Sequence, residues 1–509
     1  MVLSSIWLRR TLMLVAGALQ TLAYAPFGYW LLGIISAAAG FFLLNKASRK
    51  ESLLLGWIFG LGIFGSGASW VYVSIHNYGD AGVTLAALLT VLYVSFLSLF
   101  PALQFALYHR FRPSSSTTLS ALLFASAWVA TDWFRSWFLT GFPWLYLGHS
   151  HIGTLLSGLA PVGGVHLITW ICVLTGAACS ILASRCHLKQ KLLLPVLVVG
   201  IWVFSSFLTT LDWTTINKEK PISVAIAQGN IPQELKWLPE QRMQTVLTYQ
   251  ALSDAYWGSD IILWPETAIP VLMDQAESIT TPLASFAKDY STTLITGIPY
   301  RAPYLSNRHP VYHNSIISIG NGEGIYHKQK LVPFGEYVPL ESFLRGLIGF
   351  FDLPMSSFTA GSDKQQVLKA GEYNVSPFIC YEIVYPEFVA KSARDSNLLI
   401  TISNDAWFGG SVAPHQHLEI AQMRSLETGR YLVRGTNSGI SAIVDNKGEI
   451  TARSAQFEEA SLAGTVFPAS GMTPFMQFLS WPIMLLCFAI FVLCEVLRRK
   501  ANAQEATPP

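Results

Sequence analysis

Hydrophobic and polar positions divide the chain into two strongly apolar ends and a polar middle. Eight apolar runs approach the roughly 20 residues that a helix needs to span a bilayer. The pattern predicts seven transmembrane helices in residues 1–212, and an eighth with a cytoplasmic tail in residues 472–509. The runs cover residues 11–25, 28–44, 53–73, 83–107, 119–138, 159–182, 192–208 and 475–497.

The polar middle, residues 213–471, changes to short β-rich runs separated by helical stretches. Several runs are apolar at every position, which is typical of strands buried on both faces of a sheet. Asn321-Gly322 and residues 445–448 are typical of turns. The alternation predicts an α/β sheet domain with helices on the sheet faces. We assign strands to residues 223–227, 260–264, 292–297, 315–319, 375–380 and 397–402, and helices to residues 240–255, 282–290 and 415–428.

Lysine and arginine are concentrated in every second connection between the apolar runs. By the positive-inside rule, both termini are expected in the cytoplasm. Seven spans then put residues 213–471 on the far side, which in a bacterium is the periplasm, so we expect a multi-pass protein of the inner membrane. The basic residues are Arg9 and Arg10; Lys46, Arg49 and Lys50; Arg110 and Arg112; Arg185, Lys189 and Lys191; and Arg498, Arg499 and Lys500.

The first apolar run has a second interpretation. It follows Arg9 and Arg10 and ends in Ala23-Tyr24-Ala25, which is the pattern of a cleavable signal peptide. The charge alternation is the same with or without this run, so it does not decide between a transmembrane helix and a cleavable signal peptide. The short link at residues 26–28 favours a helical hairpin.

The composition argues against two classes of protein. A hydrophobic fraction of 51% with 13% charged residues is too apolar for a soluble protein of 509 residues. A formal net charge of +2 gives no reason to expect nucleic acid as a partner. Of six cysteines, Cys380 alone lies in the polar segment, which therefore cannot contain a disulfide of its own.

Three short motifs in the polar segment carry candidate chemistry: Trp264-Pro265-Glu266, residues 327–336 with Lys328, and Cys380-Tyr381-Glu382. Glu266 and Cys380 each follow an apolar run, and in open α/β sheets ligands gather at the carboxyl ends of strands. A thiol with a carboxylate and an amine can act as a nucleophile with its own base and cation. Taken singly, the three have plainer interpretations, as a turn carboxylate, a small buried hydrophobe and a solvated lysine.

Together these motifs resemble a known family. The order Glu, Lys, Cys resembles the carbon–nitrogen hydrolase (nitrilase) superfamily, whose fold is an α-β-β-α sandwich. Membrane spans on both sides narrow the resemblance to the apolipoprotein N-acyltransferase family. The matching segments are Gln228-Gly229-Asn230, Trp237, residues 328–339, Cys380-Tyr381-Glu382 and Asn404-Asp405-Ala406-Trp407-Phe408.

The resemblance implies roles for the three central residues. Glu266 would be the general base, and the thiolate of Cys380 would attack an ester carbonyl to give an acyl-thioester enzyme. Lys328 would stabilise the tetrahedral oxyanion together with the backbone N–H of Tyr381. The implied reaction moves a fatty acyl chain from a glycerophospholipid to the α-amino group of the S-diacylglyceryl cysteine of an apolipoprotein, by a ping-pong route. It needs no cofactor and no metal.

The same resemblance suggests supporting residues. Glu336 and Glu382 would orient Lys328 and Cys380 through hydrogen bonds. Trp237 would shape the substrate entrance, and Trp407 is expected to bind substrate. These residues complete the predicted site.

Residues 343–351 are too apolar for a solvated loop. An interfacial lid that dips into the lipid headgroups would explain them, with Phe350 and Phe351 contacting substrate. Packing against the core of the domain itself is the alternative.

Three other functions compete. A membrane-tethered amidase or nitrile hydrolase would use the same three residues, although a tether needs only one helix. A transporter would require charges within the spans, where Asp132 and Arg135 are the clearest. A metalloenzyme could use His149 and His151, or His415 and His417 with Glu419, but none of these has the spacing of a known zinc motif. No Gly-x-Ser-x-Gly motif occurs, which argues against an ordinary serine esterase.

Overall fold

The computed structural model of the chain describes residues 5–45, 47–113, 116–183, 188–303, 310–337 and 358–506. The chain divides into two compact units. One comprises Met1–His76, Ala81–Asp212 and Gln477–Pro509, and the other comprises Asn77–Asp80 and Trp213–Met476.

The first unit is helical, and helices lie at each of the eight predicted apolar runs. Large apolar side chains point outward from them: Val196, Val203 and Phe488 are each about two-thirds exposed. An outward-facing apolar surface on a helix is typical of contact with lipid. The helices are Ile6–Leu19, Trp30–Leu43, Arg49–Gly67, Val71–Val73, Val83–Leu97, Leu99–Phe111, Thr117–Arg135, Ala160–Leu182, Leu188–Leu208 and Trp481–Ala506.

Four of the described helices are long and apolar enough to cross a membrane, or five if one bent pair counts as a single span. The other predicted spans coincide with helices that are shorter or less apolar. The number of eight spans therefore stays a prediction. The four are Val83–Phe111, Leu155–Leu182, Lys191–Leu208 and Trp481–Gln504, and the bent pair is Arg49–Gly67 with Val71–Tyr78.

Two predicted spans are interrupted in ways that the apolar pattern does not reveal. The run at residues 53–73 bends by 60° between Gly67 and Val71. The run at residues 83–107 is interrupted at Ser98, whose hydroxyl donates to the Val94 carbonyl at 2.7 Å. Such a bond from serine competes with the helical backbone pattern and is often accompanied by a bend.

The second unit contains two mixed β-sheets, which confirms the predicted α/β sandwich. In the six-stranded sheet the order is β14-β2-β3-β4-β5-β7, and in the seven-stranded sheet it is β13-β12-β11-β10-β9-β8-β6. Strands β1 and β15 form a separate antiparallel pair. The strands are β1 Thr215–Ile216, β2 Ile222–Gln228, β3 Ile261–Leu263, β4 Thr293–Arg301, β5 Tyr312–Gly320, β6 Gly322–Glu323, β7 Ile325–His327, β8 Leu368–Ala370, β9 Tyr373–Ile379, β10 Leu398–Ser403, β11 Leu432–Thr436, β12 Ala442–Val444, β13 Ile450–Arg453, β14 Ala460–Val466 and β15 Ala469–Ser470.

All six predicted strands are present, with ends shifted by a few residues. The predicted turn at residues 445–448 joins β12 to β13. At Asn321-Gly322 the structure differs from the prediction. The chain leaves β5, pairs briefly with the other sheet as β6, and returns as β7, so the reversal is longer than a two-residue hairpin.

The core of this unit lies between the two sheets. Side chains of β2 and β3 pack there against those of β9, β10 and β11, and full burial of each Ile or Leu contributes about 1.5–3 kcal/mol. A side chain at Gly435 on β11 would lie 3.1 Å from Leu263 on β3, so the sheets approach closely at this point. Helices cover the outer faces: Arg242–Ser253 and Glu277–Asp289 lie on the six-stranded sheet, and Pro386–Ser392 and Ala413–Thr428 on the seven-stranded sheet.

Candidate active site

Three strands end at one buried cluster of polar side chains. Glu266 lies shortly after β3, and Lys328 directly follows β7 in the same six-stranded sheet. Cys380 directly follows β9 in the other sheet. All three are less than one-tenth exposed. The structure thus brings together the carboxylate, amine and thiol that the sequence suggested.

Lys328 is held mainly by Glu336. Its Nζ lies 2.9 Å from Oε1 and 2.8 Å from Oε2 of Glu336, whereas the Oε1 of Glu266 is 3.9 Å away. The backbone N–H of Val332 also donates to Glu336, at 2.9 Å. Burial acts to lower the pKa of Lys328, but the Glu336 and Glu266 carboxylates outweigh it and raise that pKa. Lys328 is therefore a permanent cation of the site.

Glu266 is fixed by two donors. The backbone N–H of Asn404 donates to Oε2 at 2.8 Å, and the side-chain amide of Asn314 donates to Oε1 at 2.7 Å. The same amide also donates to Glu336 Oε1 at 3.0 Å, so it fixes the separation of the two carboxylates. Burial raises the pKa of Glu266, the charge of Glu336 adds to the rise, and Lys328 opposes it. A carboxylate with a raised pKa is a stronger base.

The backbone behind Glu266 is tightly packed. A Cβ atom at Gly297 on β4 would lie 2.8 Å from the Cα of Glu266 and 2.4 Å from the N of Thr267. Thr267 itself has a positive φ of 52°. The position of Glu266 thus depends on the absence of a side chain at residue 297.

Cys380 occupies a strained turn. Its φ is 49°, a conformation that costs a non-glycine residue about 1–3 kcal/mol, and it opens the 3₁₀ turn Cys380–Val384. Burial, together with the nearby Glu266 charge, raises the pKa of the Cys380 thiol to about 12, while Lys328 opposes the rise. The resting thiol is therefore protonated, and it becomes a nucleophile only when a base removes its proton.

Glu382 ties the Cys380 turn to the Lys328 loop. Its Oε2 accepts from the backbone N–H of Ile379 at 2.8 Å. Its Oε1 accepts from the N–H groups of Gln329 and Lys330, at 2.6 and 3.1 Å, and from the Tyr326 hydroxyl at 2.8 Å. Glu382 is fully buried, so it joins the strand ends that carry the thiol and the cation without contacting solvent.

A second buried network supports the carbonyl of Cys380. Nε2 of His417 lies 3.2 Å from Cys380 O, and Nδ1 lies 3.1 Å from Nη2 of Arg434. Arg434 also donates to Asp405 at 2.7 Å. Burial and then Arg434 lower the pKa of His417, against the effect of Asp405. A neutral ring with the proton on Nε2 donates to Cys380 and accepts from Arg434, which also donates to the Asp405 carboxylate that lies 3.3 Å from Nδ1.

The other predicted residues lie around this centre. Tyr381 is buried and its ring meets that of Tyr385 edge to face at 5.3 Å. Trp237 is half-buried, and its indole N–H has no hydrogen-bond partner among the described residues. Trp407 is half-buried, and its ring contacts that of Tyr78 at 5.2 Å. Phe350 and Phe351 lie outside the described residues.

Sequence reasoning missed three contributors. Asn314 lies within a strand and belongs to no motif that we identified, so no sequence signal singled it out. Lys236 precedes Trp237 and belongs to no motif that we identified, yet its Nζ donates to the backbone carbonyl of Glu266 at 2.7 Å. His417 was considered only as a metal ligand. The described residues contain no group of three or more His, Cys, Asp or Glu side chains that could hold a metal ion.

Comparison with known proteins identifies the family. The profile of the apolipoprotein N-acyltransferase N-terminal domain matches residues 16–178, and that of carbon-nitrogen hydrolase matches residues 223–469. The apolipoprotein N-acyltransferase of Pseudomonas syringae pv. tomato is 44% identical over 95% of this chain and 96% of its own length. The chain belongs to the apolipoprotein N-acyltransferase family. The protein of that name from Pseudomonas paraeruginosa is 45% identical over 98% of both chains.

Membership in the apolipoprotein N-acyltransferase family makes the protein an enzyme, an acyltransferase with a carbon–nitrogen hydrolase domain. It also removes the transporter from the alternatives. Among solved structures, a carbon-nitrogen hydrolase from Helicobacter pylori G27 aligns at 15% identity with a TM-score of 0.36, over 56% of this chain and 95% of that one.

Proposed function

We propose that the protein transfers a fatty acyl chain from a glycerophospholipid to the α-amino group of the S-diacylglyceryl cysteine of an apolipoprotein. The observation that carries this proposal is the near full-length relation to proteins named apolipoprotein N-acyltransferase. The buried cluster of Cys380, Glu266 and Lys328 supports it, because acyl transfer needs a nucleophile, a base and a group that stabilises an oxyanion.

In the first half-reaction, Glu266 takes the thiol proton while the sulfur of Cys380 attacks the ester carbonyl. The negative charge that develops on the carbonyl oxygen is stabilised by the Lys328 ammonium and the backbone N–H of Tyr381. The ester C–O bond then breaks. Glu266 returns its proton to the departing alkoxide, which leaves as a lysophospholipid, and an acyl-thioester remains on Cys380.

In the second half-reaction, the amine of the acceptor attacks the thioester carbonyl. Glu266 removes a proton from the attacking nitrogen, the C–S bond breaks, and the sulfur of Cys380 recovers the proton. The product is an amide, and the enzyme returns to its starting state. One base serves both steps because the proton is returned within each of them.

The chain division fits two membrane-anchored substrates. Residues 1–212 and 472–509 would hold the protein in the inner membrane, and residues 213–471 would form the periplasmic catalytic domain. We assign Trp237 and Trp407 to the route of the acyl chain, since each offers a half-buried aromatic surface. The lid expected at residues 343–351 remains a sequence-based prediction.

The topology has a direct test. A reporter enzyme that is active only in the periplasm is fused after Gly471, and in a second chain after Arg499. The alternating lysine and arginine distribution predicts activity for the first fusion and none for the second. The reverse pattern would contradict the orientation.

The thioester is tested without an acceptor. Incubation of the full chain with a glycerophospholipid is expected to leave one acyl group on the Cys380 peptide, detected by mass and released by neutral hydroxylamine. Cys380→Ala should form none. Cys380→Ser should be nearly inactive, since Glu266 is a weak base for a hydroxyl, whose pKa is far above the ordinary thiol value of about 8.5. An adduct that persists in Cys380→Ala would overturn the mechanism.

A membrane-tethered amidase or nitrile hydrolase is the second candidate, favoured by the match of residues 223–469 to the carbon-nitrogen hydrolase profile. Water and an amine are alternative acceptors for the same thioester. Isolated acyl-enzyme offered a diacylglyceryl-cysteine peptide should yield N-acyl peptide faster than free fatty acid. Hydrolysis that the peptide does not reduce would favour the hydrolase.

A further inference from the structure

Lys236 is a second buried lysine beside the candidate base. It ends the short helix Gln233–Lys236, is 1% exposed, and its Nζ lies 2.7 Å from the backbone oxygen of Glu266. Lys328 reaches the same residue from the other side, at the carboxylate. Removing an ammonium group from water costs several kcal/mol unless it is compensated, and a single backbone carbonyl compensates only in part.

The segment that carries Lys236 contacts Glu266 by a second path. The side chain of Gln233 accepts from the amide of Asn404 at 2.5 Å, and the backbone N–H of Asn404 donates to Glu266 Oε2 at 2.8 Å. Residues 233–236 therefore contact the main chain of Glu266 directly and its carboxylate through Asn404. Trp237 is the next residue along the chain.

Lys236 adds a positive charge beside a carboxylate that otherwise shares its cation. Glu266 and Glu336 are two buried carboxylates around the Lys328 ammonium, and Glu382 is a further buried carboxyl group held by backbone N–H groups and the Tyr326 hydroxyl. The Cys380 thiol is neutral at rest, and the Lys236 ammonium contacts the main chain of Glu266. Transfer of the Cys380 proton to Glu266 moves the negative charge to sulfur and leaves the net charge of the site unchanged, which matters in a buried site where an uncompensated charge is costly.

We propose that Lys236 is a positioning residue of the acyl transfer, which holds Glu266 in place and supplies the second positive charge that keeps this base ionised. The inference rests on the proposed function in one respect: it takes Glu266 as the base. It differs from a purely structural tether, because a tether needs a donor but no charge.

The surroundings of Lys236 give the charge a measurable signature. Burial lowers the pKa of Lys236 to about 8, and the charge of Glu266 opposes part of that fall. Lys328 and Glu336 lie beyond Glu266, and Glu234 on the same helix is exposed. The charge of Lys236 is therefore lost as the pH rises through about 8. The rate of proton removal from Cys380 should then show a decline or a plateau above that pH.

The test uses alkylation of Cys380 by iodoacetamide in the full chain in detergent, followed by the mass of the Cys380 peptide across pH 5 to 10. Lys236→Arg retains a positive charge that does not titrate in this range, so the feature near pH 8 should disappear. Lys236→Gln retains an N–H donor without the charge. In this variant the pKa of Glu266 should rise, so the low-pH part of the alkylation profile should shift to higher pH. Below the new midpoint, alkylation should be about tenfold slower than in the unchanged chain. Lys288→Met, at an exposed lysine of the same unit, is the surface control and should keep the original profile.

Folded protein is isolated by gel filtration before alkylation, and with iodoacetamide in excess neither the midpoint nor the first-order rate constant depends on the amount recovered. A Lys236→Gln profile that superimposes on the original, or a feature near pH 8 that survives in Lys236→Arg, overturns the proposal. Alkylation requires no lipid or acceptor. Failure to find the phospholipid adduct would therefore count against the proposed function alone, whereas an unchanged pH profile would count against Lys236 alone.

Discussion

Both carboxylate oxygens of Glu336 lie within hydrogen-bond distance of the Lys328 ammonium, at 2.8 and 2.9 Å. This pairing leaves the cation displaced from Glu266, whose nearest oxygen is 3.9 Å away. Lys328 is therefore paired mainly with Glu336 and only weakly with Glu266. Glu336 is thus the carboxylate that holds the cation, and Glu266 is left to its proposed role as the base.

The first prediction concerns Glu336→Gln. Loss of one partner of a buried ion pair should lower the free energy of unfolding by about 3–5 kcal/mol. The remaining Lys328 should be drawn toward Glu266, which lowers the pKa of this base and weakens it. We expect the rate of acyl-enzyme formation to fall about a hundredfold, measured as the burst of lysophospholipid in a single turnover.

Glu372→Gln is the matched control for that experiment. Glu372 pairs with Lys220 at 2.9 Å, but both side chains are more than half exposed. Exposed pairs contribute about 0–1 kcal/mol, so this variant should keep its activity and nearly all of its stability. Equal losses of activity and stability in Glu336→Gln and Glu372→Gln would show that the Glu336–Lys328 pair has no special role.

The second prediction concerns Glu382, which accepts four hydrogen bonds. In Glu382→Gln, one of the carboxylate oxygens becomes an NH₂ group, which cannot accept and must face existing donors. The loop at Gln329 and Lys330 should then separate from the Cys380 turn, with a large fall in kcat and a smaller change in KM. Tyr326→Phe removes one donor of the four and should have a much weaker effect. A change in KM alone would place Glu382 in substrate binding instead.

The third prediction follows from His417. Its pKa is lowered in the folded chain, so below about pH 6.5 the unfolded chain takes up a proton that the folded chain does not. The stability that comes from keeping this ring neutral is present above that pH and is lost as the pH falls. In His417→Gln the amide can still donate to Cys380 and accept from Arg434, but it does not titrate. The difference in unfolding free energy between the unchanged protein and His417→Gln, measured in denaturant, should therefore shrink from pH 7 to pH 5. A constant difference would indicate that His417 is not held neutral.

The fourth prediction concerns Gly297→Ala. The added methyl group would lie 2.8 Å from the Cα of Glu266, closer than unbonded atoms allow, so the loop must shift. We expect kcat to fall by tenfold or more, since small displacements of a catalytic base are costly. Gly410→Ala adds the same methyl group where no atom lies within 4 Å, and it should be nearly silent. Wild-type turnover in Gly297→Ala would mean that the loop tolerates displacement.

The six strands were predictable because they follow a local pattern. Glu266 and Cys380 each follow a short apolar run, and the length of such a run together with the turn residues around it favours a strand. The roles of Glu266, Lys328 and Cys380 come from the resemblance of their motifs and stay a prediction. Asn314 was not predictable, since its two carboxylate partners are 48 and 22 residues away in the chain and no local pattern relates them. Lys236 was hidden for the same reason. A lysine is normally exposed, and only the fold shows that this one is buried.

In the helical unit, apolar composition located the helices but did not reveal their bends. The 60° bend after Gly67 follows the sequence Gly65-Ser66-Gly67, and such Gly/Ser pairs are a known cause of helix kinks. Another run is interrupted at Ser98, four residues after Val94 and three before Pro101, whose ring cannot donate the helical hydrogen bond to the Leu97 carbonyl.

The thiol and its base belong to different sheets, and this has a consequence for the order of events during biosynthesis. A chain in which only the six-stranded sheet has formed holds Glu266 beside Lys328, without a nucleophile. A chain in which only the seven-stranded sheet has formed holds a protonated thiol without a base. In the proposed mechanism, acyl transfer would therefore begin only when the two sheets dock, and a nascent or damaged molecule would not cleave the lipids around it. Acyl-enzyme formation would then report the completed tertiary structure of this domain.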